Sequence, residues 1–280
     1  MKTAALITHT HPHMVAEAVK TAGEIADEQG WHLYSDSEAV EPTMVGISVT
    51  DELPADPDLC LVLGGDGTIL YALRSYVGSQ VPVFGINHGT VGFLSAFERD
   101  QLRQGLMVAF SEGYETISLP GLEISGPDAA DGKVAFNDLS LIRRPHGRMA
   151  ELSYSIGTEN IGDVRCDGLV VSTSTGSTGY NLANGGPILA WGVQGYVVSY
   201  ISPHILTSRP LVVGPEETLM IANAAGREPV ELEIDGQPSG ELSSGRSLRL
   251  QLLADTGRLA QVPGHSFYQR ISDKFGHLAH

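Results

Sequence analysis

Leu59-Cys60-Leu61-Val62-Leu63 runs directly into Gly64-Gly65-Asp66-Gly67-Thr68, and this stretch decides the architecture. Five apolar residues without alternation fit a central parallel strand covered on both faces. A glycine-rich turn at the carboxyl end of such a strand is where open α/β sheets bind their ligands. Gly64, Gly65 and Gly67 let backbone N–H groups approach phosphate oxygens, and a helix over about Thr68–Tyr76 points its N-terminus at the anion. Asp66 is the odd member. A carboxylate there repels phosphate unless it binds a metal or takes a proton, and both uses suit phosphoryl transfer. The plainer alternative is that Asp66 only shapes the turn, as Asp does beside Gly. The spacing matches neither the Gly-Lys-Ser/Thr phosphate loop nor the G-x-G-x-x-G dinucleotide fingerprint.

On either side of this stretch the pattern alternates strand and helix. Ala4–Thr8 reads as a strand, and Met14–Gln29 as an amphipathic helix closed by Gly30. Val81–Ile86 reads as a second buried strand, and Glu98–Phe110 as a helix. Beyond Glu115 short alternating or β-branched runs are split by turns, with Asp131-Gly132 and Asp235-Gly236 as hairpin candidates. The expectation is an α/β domain with a parallel sheet over residues 1–112, completed by a returning tail at 264–280. A β-rich domain of the sandwich type follows over 113–263.

Composition limits the partners. The 280 residues carry a net charge of −16, against the basic stripe that a nucleic-acid polymer requires. No run approaches the ~18 apolar residues of a membrane span. The apolar start, Met1–Ile7, is too short for a leader, so a cytoplasmic protein is expected. Cys60 and Cys166 lie in apolar runs and read as buried thiols rather than a disulfide. No metal-ligand set is assigned. His9, His11 and His13 alternate but lack a fourth partner, and read as loop.

Further polar segments interrupt the β-rich half. Asn137 and Asp138 sit in an apolar strand, where at least one should face a cleft, an edge-strand polar pair being the alternative. Ser172–Tyr180 holds seven hydroxyl side chains and two glycines, a loop able to hydrogen-bond a purine edge and a ribose. Arg148 and Arg165 each read alone as a surface arginine in a solvated pair, though a guanidinium fork also suits phosphate oxygens.

Gly64–Thr68 resembles the GGDGT motif of NAD kinases, of diacylglycerol and sphingosine lipid kinases and, more distantly, of 6-phosphofructokinases. Gly85-Ile86-Asn87 with Gly92-Phe93-Leu94, Phe136-Asn137-Asp138, Asp167–Tyr180 running on to Gly185-Gly186-Pro187, Ser202-Pro203-His204 with Arg209-Pro210, and Asp235-Gly236-Gln237 follow in the order of the NAD kinase family. The resemblance spans residues 58 to 240 and implies transfer of phosphoryl from ATP or polyphosphate to the 2′-hydroxyl of the adenosine ribose of NAD. It implies Asp66 as catalytic base and Gly64, Gly65, Gly67 and Thr68 as phosphate loop. By the same resemblance Asp66, Gly67, Asn137, Asp138, Arg148 and Arg165 line the NAD site. Asp167, Thr178, Gly179, Tyr180, Asn181, Leu182, Ala183, Ser202 and Gln237 complete it. Mg²⁺ or another divalent metal and a homo-oligomer are implied likewise. The sequence departs from the family at Tyr71, where a basic residue is usual and Arg74 could substitute, and at Asp138 for Glu. Ser174 replaces proline and Gly179 alanine, which leaves the loop less pre-organised. A lipid kinase and a non-catalytic dinucleotide sensor are the alternatives.

Overall fold

A computed structural model of the chain describes residues 1–8, 12–41, 43–89, 92–126, 130–224, 227–264 and 266–276. His9, His11 and the side chain of His13 lie outside the described residues. The chain divides into two compact units, Met1–Ser118 with Thr256–His280, and Leu119–Asp255.

In the first unit, Leu59–Gly64 is the strand that its unbroken apolar run requires, with Leu59–Leu63 all inaccessible to solvent. It lies in parallel between Lys2–Thr8 and Pro82–Asn87. Trp31–Ser35 and Ile47–Val49 extend the parallel sheet beyond Lys2–Thr8. Residues 256–261 of the strand Ser247–Gln261 flank it beyond Pro82–Asn87, through Arg258↔Pro82 and Leu259↔Val83. The helix Pro12–Glu28 buries Val15, Val19, Ala22 and Ile25 on the stripe its periodicity marks, and Gly30 ends it in the left-handed region at φ 74°. The stretch Glu98–Phe110 is a 3₁₀ turn, Arg99–Gln101, leading into the helix Leu102–Phe110. The tail forms the helix Phe267–Phe275, capped by the Ser266 hydroxyl, which accepts the Gln269 N–H.

The second unit contains two sheets. One is antiparallel throughout, in the order Leu211–Val213, Tyr196–Ile201, Gly168–Thr173, Asp138–Arg143, Val230–Ile234, Gln237–Leu242. The other contains Glu159–Cys166, Ala150–Ile156, Leu219–Ala222 and the first part of Ser247–Gln261. A single core joins them, taking Leu139, Leu141 and Val171 from one sheet and Leu152, Ile221 and Leu250 from the other. This is face-to-face sandwich packing. Asp235 and Gly236, at φ 49° and 72°, close a two-residue hairpin with Ile234 paired to Gln237. Positive φ at both positions matches the twist of the flanking strands. Cys60 and Cys166 are buried free thiols; burial pushes the Cys166 thiol up to about 12.

Candidate active site

The helix after the glycine turn begins at Asp66 and runs to Ser75, two residues earlier than its apolar pattern indicates. Gly65 is its N-cap, in extended conformation. Asp66 therefore stands in the first helical turn, where a carboxylate suits the positive end of the helix dipole. The three glycines serve different needs. A Cβ on Gly64 would come within 2.5 Å of the Thr68 hydroxyl, and one on Gly65 would touch the Gly89 backbone at 3.7 Å. A Cβ on Gly67 would meet nothing within 4 Å. Packing does not demand glycine at 67; a closely approaching ligand would.

Asp66 is held by backbone. One carboxylate oxygen accepts the Phe93 N–H at 2.8 Å and the other accepts the Leu94 N–H at 3.0 Å. Burial raises its pKa, partly opposed by those two hydrogen bonds and by the charges of Arg270 and Lys274. Each carboxylate oxygen has about two acceptor directions, so the bonds to Phe93 and Leu94 leave room for a proton.

Asp138 opens the strand Asp138–Arg143 of the antiparallel sheet, beside the Ser172–Tyr180 segment, and Asn137 stands in the bend before it rather than in a strand as expected. That segment is not a loop throughout: Gly168–Thr173 is strand, Thr175–Thr178 a 3₁₀ turn, and Tyr180–Ala183 a short helix. Ser172, Thr173, Ser174, Thr175 and Ser177 are buried; the hydroxyls of Ser172, Thr173 and Ser177 donate to backbone carbonyls, while those of Ser174 and Thr175 meet no hydrogen-bond partner among the described residues. The Thr173 hydroxyl donates to the Phe136 carbonyl at 2.6 Å, and Gly176 packs directly on the Asn137 backbone. Asn181 is fully buried, its amide donating to the Ser177 and Pro187 carbonyls. Thr178 is half-buried, Gly179 and Tyr180 are exposed, Leu182 is half-buried and Ala183 exposed.

Asp138 is 6% exposed, and burial, with Asp235 and Glu233 adding negative charge nearby, pushes its carboxyl up to about 7. The Tyr180 phenol is raised as well, by burial and by Glu233 and Asp138. The structure thus gathers Asn137, Asp138, Gly179 and Tyr180. Asp235 organises the group from across the sheet: its carboxylate accepts the N–H groups of Phe136, Asn137 and Asp138 at 2.7–3.2 Å. Gln237, exposed, follows it in the hairpin.

The remaining residues of the second unit lie elsewhere on it. Asp167 pairs with Arg143 at 2.5 Å, and its N–H donates to the Ile201 carbonyl, which places it beside exposed Ser202. Arg165 is two-thirds exposed, 2.9 Å from Glu151, in an open cleft of ≈ 590 Å³ that His204 also lines. Arg148 is exposed and gives its backbone N–H to Glu228. In the first unit, Tyr71 is half exposed on the glycine-turn helix, and Arg74 lies in that helix's last turn.

Arg143, Gln261 and Arg270 escape a sequence reading, as does the reach of Asp235. Asp235 carries a local signal, an Asp-Gly turn, but that signal says nothing of the three N–H groups it reaches. Gln261 and Arg270 stand more than 160 positions from the segment they touch. Among the described residues no group of three or more His, Cys, Asp or Glu is placed to hold a metal ion. Among them, too, no helix is long and apolar enough to cross a membrane.

Residues 13–114 match the family model of the ATP-NAD kinase N-terminal domain, and residues 136–253 that of the ATP-NAD kinase C-terminal domain. The chain is 33% identical over 282 residues to an NAD kinase of Nitrosomonas europaea, covering 98% of this chain and 95% of the relative. It is 30% identical over 280 residues to one of Desulforamulus reducens, covering 98% and 97%. Its fold is that of a yeast NADH kinase solved with NADH, at TM-score 0.85 and 22% identity, covering 100% of this chain and 89% of that one. An NAD kinase from Archaeoglobus fulgidus solved with ATP superposes at TM-score 0.76 and 22% identity, covering 98% and 97%.

Proposed function

The chain belongs to the NAD kinase family, and from that premise we propose that it transfers the γ-phosphoryl group of ATP to the 2′-hydroxyl of the adenosine ribose of NAD, making NADP, with Asp66 as general base. The ribose oxygen forms a bond to the γ-phosphorus as the bond from that phosphorus to the bridging oxygen of ADP breaks. The hydroxyl proton passes to the Asp66 carboxylate. Phosphoryl transfer asks little covalent chemistry of a protein beyond positioning, charge compensation and acceptance of this proton.

The observation that carries the reading is the state of Asp66. Two backbone N–H groups fix both its oxygens while the neighbouring Gly67 leaves open space beside it. Gly64, Gly65, Gly67 and Thr68 then take the triphosphate at the helix N-terminus. Asn137, Asp138, Gly179 and Tyr180 form the adenosine-ribose group of the NAD site, with Thr178, Leu182, Ala183 and Gln237 around it. Arg148, Arg165, Asp167 and Ser202 would meet the rest of the dinucleotide. Asn181 belongs to the same segment and acts through its backbone anchors at Ser177 and Pro187.

A divalent cation of the magnesium type keeps several waters and takes phosphate oxygens as ligands, so it needs few protein carboxylates. Phosphate oxygens and water would supply its ligands, and the ion would supply charge to offset that of the triphosphate. A cytoplasmic homo-oligomer that takes no nucleic-acid partner fits the acidic composition and the family.

The test is a coupled assay on the purified chain. NAD, ATP and Mg²⁺ are supplied, and NADPH formation is read through an NADP-specific dehydrogenase. NADP formation is expected; phosphorylation of diacylglycerol vesicles instead, or dinucleotide binding without turnover, overturns the reading.

A further inference from the structure

Taking Asp66 as the base proposed above, we propose that Arg270 and Gln261 are positioning residues for it, gripping from behind the segment whose N–H groups hold its carboxylate. The segment is 93–95. Its N–H groups at Phe93 and Leu94 face Asp66, and its carbonyls face the other way. The Arg270 guanidinium, on the helix Phe267–Phe275, donates to the Phe93 carbonyl at 3.2 Å and to the Ser95 carbonyl at 2.7 Å. Between them, the Gln261 amide donates to the Leu94 carbonyl at 2.7 Å, and its own carbonyl oxygen accepts from Arg270. Three consecutive carbonyls are therefore fixed by two side chains that also hold each other.

The grip is buried. Gln261 is 3% exposed, Leu94 2% and Ser95 3%. Helix anchors stand on both sides: Ile271 is buried, and the Phe275 ring packs on Phe93 with centroids 5.5 Å apart. A flat guanidinium with several fixed donors suits two carbonyls in one plane of approach, which a lysine ammonium does not reproduce.

Arg270 also acts through its charge. Asp66 is faced by Arg270 and Lys274 of the C-terminal helix, and both favour its ionised form. Arg270 in turn is faced by Asp66, Glu98 and Asp273. Lys274 also pairs with Glu98 at 3.2 Å, and His88, on the segment after Pro82–Asn87, is faced by Arg99. A base works in its deprotonated form, so losing the nearest cation raises the pH at which activity appears. Losing Gln261 loosens the grip without removing that charge.

The experiment compares the full chain with Arg270→Gln, Arg270→Lys and Gln261→Met. Two readouts are taken: kcat/KM for NADP formation against pH, and titration of the Asp66 carboxyl by ¹³C NMR, assigned with Asp66→Asn. Expected is a loss of about 10–100-fold in kcat/KM for Arg270→Gln and Gln261→Met, the scale for a misplaced catalytic group. The acid limb and the Asp66 titration should move to higher pH in Arg270→Gln alone. Arg270→Lys should restore the limb but not the full rate. Should Arg270→Gln not fold, Arg270→Lys and Gln261→Met still carry the test through their rates and unmoved limbs. An Asp66 titration and limb unchanged in Arg270→Gln, or wild-type rates in Gln261→Met, overturn the inference. The NMR titration decides it even if the wild type forms no NADP, a result that would refute the proposed activity instead.

Discussion

The carbonyl oxygen of Asn137 lies 2.2 Å from the point where a Cβ on Gly176 would stand. The Asn137 carbonyl carbon and Cα follow at 2.4 and 2.6 Å, so backbone rather than a movable side chain occupies the space. This contact seats the Ser172–Tyr180 segment on Asn137, which leads into the strand Asp138–Arg143.

Gly176→Ala should therefore destabilise the protein by about 1–3 kcal/mol, toward the upper end because backbone must move. It should also weaken NAD binding, since Asn137 and Asp138 are displaced. Urea unfolding and a binding titration check both; an unchanged midpoint contradicts the packing argument.

Gly67→Ala should behave in the opposite way. The position has open space and lies within a helix, where alanine is favoured over glycine. Stability should hold or rise, while kcat/KM falls by about tenfold or more as the methyl group meets the ligand. Equal losses in stability and rate would show that this glycine serves the fold.

The buried carboxyl of Asp138 predicts a pH signature. Burial lifts its folded pKa to about 7 from the ordinary carboxyl value of 3.8, so the folded state holds the proton more tightly than the unfolded chain. The stabilising contribution is complete below the unfolded pKa and is lost as pH rises through about 7. Asp138→Asn removes that loss. Relative to wild type it should gain stability steadily between pH 4 and 7 and level off above, as read by thermal unfolding across pH. A difference independent of pH contradicts the raised carboxyl.

Ser174 predicts a stabilised variant. Its φ of −59° is already that of proline, its buried hydroxyl meets no hydrogen-bond partner among the described residues, and Thr173 before it is extended strand. Ser174→Pro should raise stability by about 0.4–1 kcal/mol, mainly by restricting the unfolded chain. A lowered melting temperature would contradict this.

Local chemistry made much of the fold legible. Leu59–Leu63 has no polar residue to face water, and the glycines of Gly64–Thr68 mark where the chain leaves the strand, so a buried strand and a sharp passage into the next helix follow from ten residues. The helix begins at Asp66 rather than Thr68 because Gly65 already serves as N-cap, a boundary that apolar periodicity does not mark. Trp31–Ser35 was harder to see, since its length and mixed polarity resemble the loops around it. The candidate site is legible where its proposed residues are neighbours in sequence, as at Asp66 and Asn137-Asp138. It was illegible where action comes from a distance: Asp235 reaches back 97 to 99 positions, and Arg270 reaches back 175 and 177. Arg270 leaves no periodic or compositional trace, and the Asp-Gly turn at 235 does not disclose the partners that Asp235 reaches. The Ser/Thr-rich segment differs in a further way from the ligand-binding loop its composition suggests, because the Thr173 and Ser177 hydroxyls satisfy buried backbone instead.

The most direct measurement is the rate of NADP formation by Asp66→Asn under saturating NAD and ATP, with NAD binding followed in parallel. If the Asp66 carboxylate takes the ribose proton, turnover should fall by roughly 10²–10⁴ while the dinucleotide still binds. Turnover close to that of the unaltered protein would contradict the account.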